Sequence, residues 1–221
     1  MKIAICYSGN LRTYEYCVKN HLNKIGDSDI YISTWDEISR PNKINDPWHY
    51  KIDLNTPEKI DINYINKVTP PAFNIKAIKI DNYKDCPLKN LKSDNHLNYQ
   101  YFKIKDCFDL IEKDIEKYDF IIRLRPDITI QNITFDKNYI IFNEYIWYNY
   151  QYAENKNAIN EMIWISTPDL AKKPTMLYDN LDKINNSVNS LYGEAACYSN
   201  LKIENILDKV KTFDFKFNVV R

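Results

Sequence analysis

The chain has 221 residues, a length that fits one domain with a substantial buried core. It carries 30 basic and 30 acidic residues, so the net charge is zero and no broad surface for nucleic acid or membranes is expected. Five cysteines without C-x-x-C spacing favour a reducing compartment over a disulfide framework. The apolar run near the N-terminus is too short for a signal sequence or a membrane span, so we expect a cytoplasmic protein without a transmembrane segment.

The first third of the chain begins with a strand–helix–strand pattern. KIAICYS is a short β-rich run that ends at Gly9, so it predicts the first strand. Residues 13–25 carry apolar side chains at helical spacing, and DIYISTW predicts the second strand. This order is typical of a parallel α/β sheet. Residues 38–75 are polar and dotted with proline, which predicts long loops and one short helix near residues 57–68.

The remainder of the chain predicts further strands and helices. AIKIDNY is a third strand, and residues 99–118 form an amphipathic helix that leads into the strand FIIRLRPD. YIIFN and MIWIST are strands, and a helix begins at Thr167–Pro168 and is interrupted at Pro174.

The C-terminal part predicts a helix over residues 194–210 and a half-exposed strand in FDFKFNVV. The complete pattern predicts a single α/β domain over residues 1–221, with a mixed, mostly parallel sheet flanked by helices.

Polar side chains follow the first two predicted strands. Ser8, Gly9 and Arg12 lie in the strand–helix loop, at the edge where open α/β sheets bind ligands. Gly9 allows close backbone approach, and the helix start together with Arg12 favours an anion. Trp35 and Asp36 end the second strand, where they offer a stacking surface and an acceptor for a hydroxyl. An ordinary turn with a surface arginine, and a packed tryptophan beside a loop aspartate, remain the alternatives.

The stretch KYDFIIRLRPDITI places Arg123, Arg125 and Asp127 at alternate positions of a predicted buried strand, so the three side chains share a face. Burying these charges is costly unless they have partners. The two guanidinium groups could neutralise a diphosphate, and Asp127 could hold a divalent cation. We expect Arg125 to contact the ligand and Arg123 to support Asp127 from behind. A buried ion-pair network is the alternative.

Two glutamates are candidate general bases. Glu161 lies just before the MIWIS strand, and strand ends hold side chains more firmly than loops do. Glu194 follows Gly193 at a helix start, where the helix dipole favours the ionised carboxylate and lowers its basicity. We therefore expect Glu161 to be the base, with Glu194 as the second candidate. The aromatic stretch at residues 143–152 could form a sugar platform or a core patch.

Over essentially the whole chain, the sequence resembles GT-A-like glycosyltransferases of surface-polysaccharide and lipopolysaccharide synthesis. The resemblance lies in five segments and their order: SGNLRT, STWD, YDFIIRLRPDI, NEMIWIS and YGE. The resemblance implies a nucleotide-sugar donor and a glycan or glycolipid acceptor. Asp127 takes the family's metal and diphosphate position, which implies Mn²⁺ or Mg²⁺ as cofactor and a catalytic role. Arg125 stands in place of the first acid of Asp-x-Asp, so Arg123 and Arg125 could do part of a cation's work.

The expected reaction is transfer of a sugar to an acceptor hydroxyl, with a nucleoside diphosphate as leaving group. A carboxylate base is needed if the configuration at the anomeric carbon inverts. Two alternatives remain. The missing Asp-x-Asp permits a sugar-nucleotide or glycan-binding module that has lost catalysis. A nucleotidyltransferase ranks lower, because SGNLRT has a single glycine where such enzymes carry a glycine-rich, basic loop.

Overall fold

A seven-stranded sheet forms the centre of the structure, a computed structural model that describes residues 1–37, 59–91, 96–144, 158–187 and 193–220. The described strands are β1 (Ile3–Ser8), β2 (Asp29–Trp35), β3 (Asn74–Asp81), β4 (Phe120–Leu124), β5 (Ile128–Ile130), β6 (Ile140–Asn143), β7 (Asn160–Ser166), β8 (Val210–Phe213) and β9 (Phe217–Val219). The described α-helices are α1 (Tyr14–Ile25), α2 (Ile62–Val68), α3 (His96–Ile111), α4 (Pro168–Thr175), α5 (Leu177–Ser187) and α6 (Gly193–Ile203).

The strand order of the large sheet is β3-β2-β1-β4-β7-β6-β8, and β5 pairs with β9 in a separate two-stranded sheet. Strands β1 to β4 run parallel to one another, β7 is antiparallel to both its neighbours, and β8 is parallel to β6. Because β7 is reversed, its amino-terminal end lies at the same edge as the carboxyl ends of β1, β2 and β4. The expected α/β fold with a mixed, mostly parallel sheet is confirmed.

Both faces of the sheet are covered, which explains why every residue of β1 is buried. On one face, Tyr14 and Val18 of α1 and Ile65 of α2 belong to the same apolar cluster as the strand residues. On the other face, Phe108 of α3 and Leu201 of α6 pack against the sheet. The five cysteines are buried and free.

The predicted strand FIIRLRPD is shorter than expected. Strand β4 ends at Leu124, and the chain turns through Pro126 and Asp127 before β5 begins in the second sheet. Proline has no N–H to donate to a strand ladder, which explains the end of pairing here. Arg125 and Asp127 therefore lie beyond the strand, and strand alternation does not determine where they point.

The C-terminal prediction was wrong in its boundaries. Helix α6 ends at Ile203, and a short 3₁₀ turn at Leu207–Lys209 precedes β8. The alternating stretch FDFKFNVV divides between β8 and β9, which belong to different sheets. In the segment between these two strands, Lys216 has a φ angle of 44° and Phe215 is fully buried. The aromatic residues 145–152, and residues 38–58 of the predicted loop region, lie outside the described residues.

A buried hydrogen-bonded chain joins the two sheets through α1. Nδ1 of His21 lies 2.9 Å from the Tyr7 hydroxyl, and Nε2 lies 2.7 Å from the Ile128 carbonyl oxygen. Because a carbonyl only accepts, Nε2 carries the proton and donates to Ile128, while Nδ1 accepts from Tyr7. Burial lowers the pKa of His21 to about 4, so the imidazole is neutral in the folded protein.

We expect His21 to make folding stability depend on pH. The folded pKa of about 4 lies below the unfolded value of 6.5, so the unfolded chain binds more protons between these values. The free energy of unfolding should therefore fall as the pH decreases from 6.5 towards 4. His21→Phe removes this titration. The variant should be less stable than the wild type at about pH 7.5. This difference in the free energy of unfolding, measured by urea denaturation, should be smaller at about pH 4.5. A difference of constant size would show that His21 is not held in its neutral form.

Candidate functional site

A cleft of about 270 Å³ opens at the carboxyl edge of β1, β2 and β4. It brings together the polar residues that the sequence placed at separate strand ends, and it adds several aromatic side chains. The described lining consists of Ser8, Gly9, Asn10, Arg12, Trp35, Tyr83, His96, Tyr99, Gln100, Arg123, Arg125, Pro126 and Asp127. Of the predicted site residues, Asp36, Glu161 and Glu194 are not among these lining residues.

The loop after β1 is held by backbone and side-chain contacts. Gly9 adopts a φ angle of 110°, a left-handed conformation that favours glycine. Its N–H donates to the Ser33 carbonyl oxygen of β2 at 3.1 Å, so this N–H group is already engaged. The buried Ser8 hydroxyl accepts from Nε of Arg123 at 3.2 Å. These contacts hold in place the loop that carries Arg12, which lines the cleft.

Arg125 and Asp127 form a bidentate salt bridge. Nε and Nη2 of Arg125 donate to the two carboxylate oxygens of Asp127, each at 2.7 Å. Arg12 approaches the same carboxylate, with Nη1 3.7 Å from Oδ2. Burial is the largest single influence on the pKa of Arg125 and acts to lower it, but the charge and hydrogen bonds of Asp127, together with the charges of Glu161 and Glu194, outweigh it, so this pKa is raised. Burial is the main cause of the lowered pKa of Arg12.

Arg123 does not support Asp127 by a described hydrogen bond, contrary to the expectation. Nε bonds to the Ser8 hydroxyl, and Nη1 donates to the backbone carbonyl of Glu161. Burial lowers the pKa of Arg123 to about 10, which still leaves the group charged at neutral pH. Arg123 therefore joins the ends of β1, β4 and β7, and Asp127 acts on it through charge, without a described hydrogen bond.

Glu161 lies inside β7, immediately behind the cleft. Its Oε1 accepts from Gln100 of α3, which itself lines the cleft. Gly193, the first residue of α6, packs against it, since an added Cβ there would lie 3.6 Å from Oε1 of Glu161. The same Cβ would lie 3.2 Å from the Tyr101 hydroxyl, which donates to the Gly193 carbonyl at 2.8 Å. Glycine at this position thus allows α6 to approach β7 and α3 closely.

Glu194 lies in the first turn of α6, as predicted, but its acidity is opposite to the expectation. The pKa of Glu194 is raised, mainly by burial and then by the negative charge of Glu161, despite the favourable backbone N–H and Arg125. The helix dipole therefore does not lower the basicity of Glu194, contrary to the expectation from sequence. Desolvation and a neighbouring carboxylate outweigh the dipole at this position.

Part of the cleft lining is aromatic. Tyr83 and Tyr99 stack with ring centroids 4.0 Å apart and an interplanar angle of 5°. Trp35 meets both rings edge-on at 5.5 and 5.7 Å, and it is almost completely buried. Its other side lies under the ammonium group of Lys103, 4.3 Å from the ring centre. Trp35 therefore supports the tyrosine pair, and the tyrosines present the exposed aromatic surface.

Asp36 has a positioning role in this part of the site. Its Oδ1 accepts from the backbone N–H of Tyr83 at 3.0 Å, so the predicted acceptor for a ligand hydroxyl is engaged by the protein itself. The sequence reasoning missed Tyr83, Tyr99, Asn10 and Gln100. A signal for Tyr83 was present, because it follows the third strand of the parallel set and so belongs to the same edge.

Three buried polar atoms in and behind the cleft have no hydrogen-bond partner among the described residues: Oδ1 of Asn10, Nη2 of Arg123 and Oε2 of Glu161. Buried polar atoms without partners are uncommon and are usually satisfied by a ligand or by water. This combination of donors and acceptors suits a polar ligand with several oxygen atoms.

The residues present do not fit the divalent cation expected at Asp127. Both oxygens of this carboxylate accept from Arg125, and a second guanidinium lies close by. Across the described ranges, no group of three or more His, Cys, Asp or Glu side chains could hold a metal ion. Hard cations such as Mg²⁺ need several oxygen ligands, whereas this carboxylate faces positive charges.

None of the helices in the described part of the chain is long and apolar enough to cross a membrane.

Comparison with known proteins relates this chain to others by fold. No protein-family model matches the sequence, and no curated protein matches it. Among solved structures, it is similar to the glycosyltransferase GlyE of Streptococcus pneumoniae TIGR4, with a TM-score of 0.51 and 9% sequence identity. The match covers 97% of this chain and 46% of GlyE, so the chain spans about half the length of that protein. At this identity the likeness concerns the fold alone.

Proposed function

We propose that this protein is a glycosyltransferase that transfers a sugar from a nucleotide-sugar donor to a hydroxyl of a glycan or glycolipid acceptor. The observation that carries the proposal is the chemical composition of the cleft lining. It combines the stacked pair Tyr83 and Tyr99 with Arg12 and Arg125 beside Asp127. A nucleotide sugar has the matching groups, a planar base and a diphosphate. The glycosyltransferase-like fold supports this choice.

The aromatic part of the lining is proposed to hold the base. Tyrosine rings stack on any nucleobase, and such stacking contributes about 1–3 kcal/mol per base. Two contacts hold Tyr83 in place. Trp35 packs edge-on against its ring, and the Asp36 carboxylate accepts a hydrogen bond from its backbone N–H. A planar guanidinium such as that of Arg12 matches phosphate oxygens. The sugar would then extend towards Gln100 and Arg123, which line the same cleft.

The two glutamates behind the cleft are proposed to supply the base for the acceptor hydroxyl. The raised pKa of Glu194 brings it nearer to the working pH of a general base, and Glu161 contributes to that shift. We therefore rank Glu194 above Glu161 as the proton acceptor, the reverse of the order expected from sequence. Glu161 would set the basicity of Glu194 by its charge, while Gln100 holds its carboxylate in position.

The finer parts of the proposal rest on the motifs. The GT-A type and the role in surface-polysaccharide or lipopolysaccharide synthesis follow from the resemblance of SGNLRT, STWD and the Arg-x-Arg-x-Asp segment. A cytoplasmic location fits the five free cysteines, because thiols persist in reducing compartments.

The first prediction concerns nucleotide binding. UDP, GDP and CMP, each with its sugar conjugates, should be screened for an increase in melting temperature, since a ligand of the folded state raises stability. Tyr99→Leu should weaken binding of the best nucleotide about tenfold, because it removes the stacking surface. Inorganic pyrophosphate should bind the variant and the wild type equally. The matched control is Tyr16→Leu, an exposed tyrosine on α1 outside the described cleft lining.

The screen also separates the alternatives. Transfer or hydrolysis of the donor sugar by the purified protein supports the enzyme. Binding of nucleotide sugars without any turnover, across a panel of glycan acceptors, would instead identify a binding module. Release of pyrophosphate from a nucleoside triphosphate and a sugar phosphate would identify a nucleotidyltransferase. A protein that binds none of these nucleotides contradicts the proposed function.

The second prediction concerns the base. Glu194→Gln should lower kcat for transfer by about a hundredfold or more, in line with typical general-base contributions, with donor affinity nearly unchanged. In the pH dependence of kcat for the wild-type protein, activity should rise as the pH passes through the raised pKa of Glu194. Glu161→Gln removes the neighbouring charge, so the rising limb should move to lower pH while activity persists.

The opposite result has a clear meaning. If Glu161→Gln abolishes turnover and Glu194→Gln stays active, then Glu161 is the base. If neither substitution affects turnover, the reaction does not use a base from this pair, as expected for retention of configuration.

A further inference from the structure

We infer that the protein binds the donor diphosphate with arginine side chains and without a divalent cation. The inference rests on the proposed function and concerns the same cleft. It replaces the metal expected at Asp127 with a specific set of charges, in which Arg12 is the principal contact to phosphate and the Arg125–Asp127 pair holds that part of the site in place.

The Asp127 carboxylate is already engaged by a guanidinium group. Its two oxygens accept from Nε and Nη2 of Arg125 at 2.7 Å, and the residue is only 3% exposed. A metal ion would have to displace this guanidinium or share the carboxylate with it. Two-pronged arginine–carboxylate pairs are among the stronger hydrogen-bonded ion pairs, so the displacement is costly. The carboxylate therefore serves to orient arginine.

The described lining of the cleft carries a surplus of positive charge. It contains three guanidinium groups, from Arg12, Arg123 and Arg125, and one carboxylate, from Asp127. The pKa of Arg125 is raised and that of Arg123 is about 10, so both are charged at neutral pH. A surplus of positive charge inside a partly buried cleft attracts an anion and repels a cation.

The two other nearby acids, Glu161 and Glu194, lie behind the cleft. Glu161 is hydrogen-bonded to Gln100, and neither Glu161 nor Glu194 belongs to the described cleft lining. Their charges reach Arg125, because both act to raise its pKa. They thus balance the arginines from behind and leave the cleft itself positive.

The geometry also assigns different tasks to the arginines. Arg125 is committed to Asp127, and Arg123 bonds to Ser8 and to the Glu161 carbonyl. Arg12 has a longer contact to Asp127, at 3.7 Å, and 20% of its side chain is exposed at the cleft. Arg125 is 14% exposed and Arg123 only 1%, so Arg12 is the guanidinium most accessible to a phosphate in the cleft. The remaining N–H donors on Nη2 of Arg123 lie deeper, with no partner among the described residues.

The decisive experiment measures binding of UDP and GDP to the wild-type protein by calorimetry, once with excess EDTA and once with Mn²⁺ or Mg²⁺. We expect the dissociation constants in the two buffers to agree within about twofold, because no metal ion contributes. Loss of about tenfold or more in EDTA, restored by the metal, overturns the inference. Absence of nucleotide binding in both buffers would count against the proposed function instead, so the two failures are distinguishable.

A variant series tests the arginine assignment in EDTA. Arg12→Gln should weaken UDP binding about tenfold or more, since a charge-assisted contact to phosphate is lost. Arg12→Lys should recover part of the affinity, because the charge remains while the planar fork is lost. Lys211→Gln is the matched control: it removes one positive charge from a half-exposed side chain paired with Asp136, and affinity should stay unchanged.

If Arg12→Gln binds UDP as tightly as wild type, Arg12 does not hold the phosphate and this part of the inference fails. Melting curves of each variant establish that it is folded. Should Arg12→Gln not fold, inorganic pyrophosphate on the wild-type protein serves as the second measurement. Pyrophosphate should compete with UDP in EDTA if the site recognises the diphosphate itself, and failure to compete would overturn the inference.

Discussion

The buried guanidinium of Arg123 is the interaction on which the candidate site depends. It lies near the end of β4, 1% exposed, and bonds to the Ser8 side chain of β1 and to the backbone carbonyl of Glu161 in β7. A buried cation is costly unless its donors find partners, so the ends of three strands must meet around it. The cleft then forms at that junction, with the loop after β1 on one side and the turn after β4 on the other.

The turn after β4 determines the character of the cleft. Pro126 ends strand pairing, and the next residue turns its carboxylate back onto Arg125. The chain therefore presents an arginine held by an aspartate at this position of the cleft. The fold is similar to that of the glycosyltransferase GlyE, but this likeness concerns the fold alone and not the residues of the site. Function has to be argued from such a site and not from the fold.

Much of the framework could be predicted from the sequence, because it depends on short-range patterns. The DIYISTW run matches β2 residue by residue, and helical spacing located α1 to within one residue. The colocation of Ser8, Arg12, Trp35 and Asp127 followed from one rule, that the carboxyl ends of parallel strands meet at the same edge. Residue type and position at a strand end sufficed for that inference.

Other features were decided only by the tertiary structure. The reversal of β7 brings Glu161 to a position behind the cleft, yet it depends on pairing with β4 and β6, which are distant in sequence. The raised pKa of Glu194 arises from burial and from Glu161, neither of which is visible in a local dipole argument. The stacking of Tyr83 on Tyr99 joins a turn after β3 to helix α3. The sequence by itself determined the elements and the residues at their ends, whereas partners, burial and acidity came from long-range contacts, because each depends on which side chains the fold brings within a few ångströms.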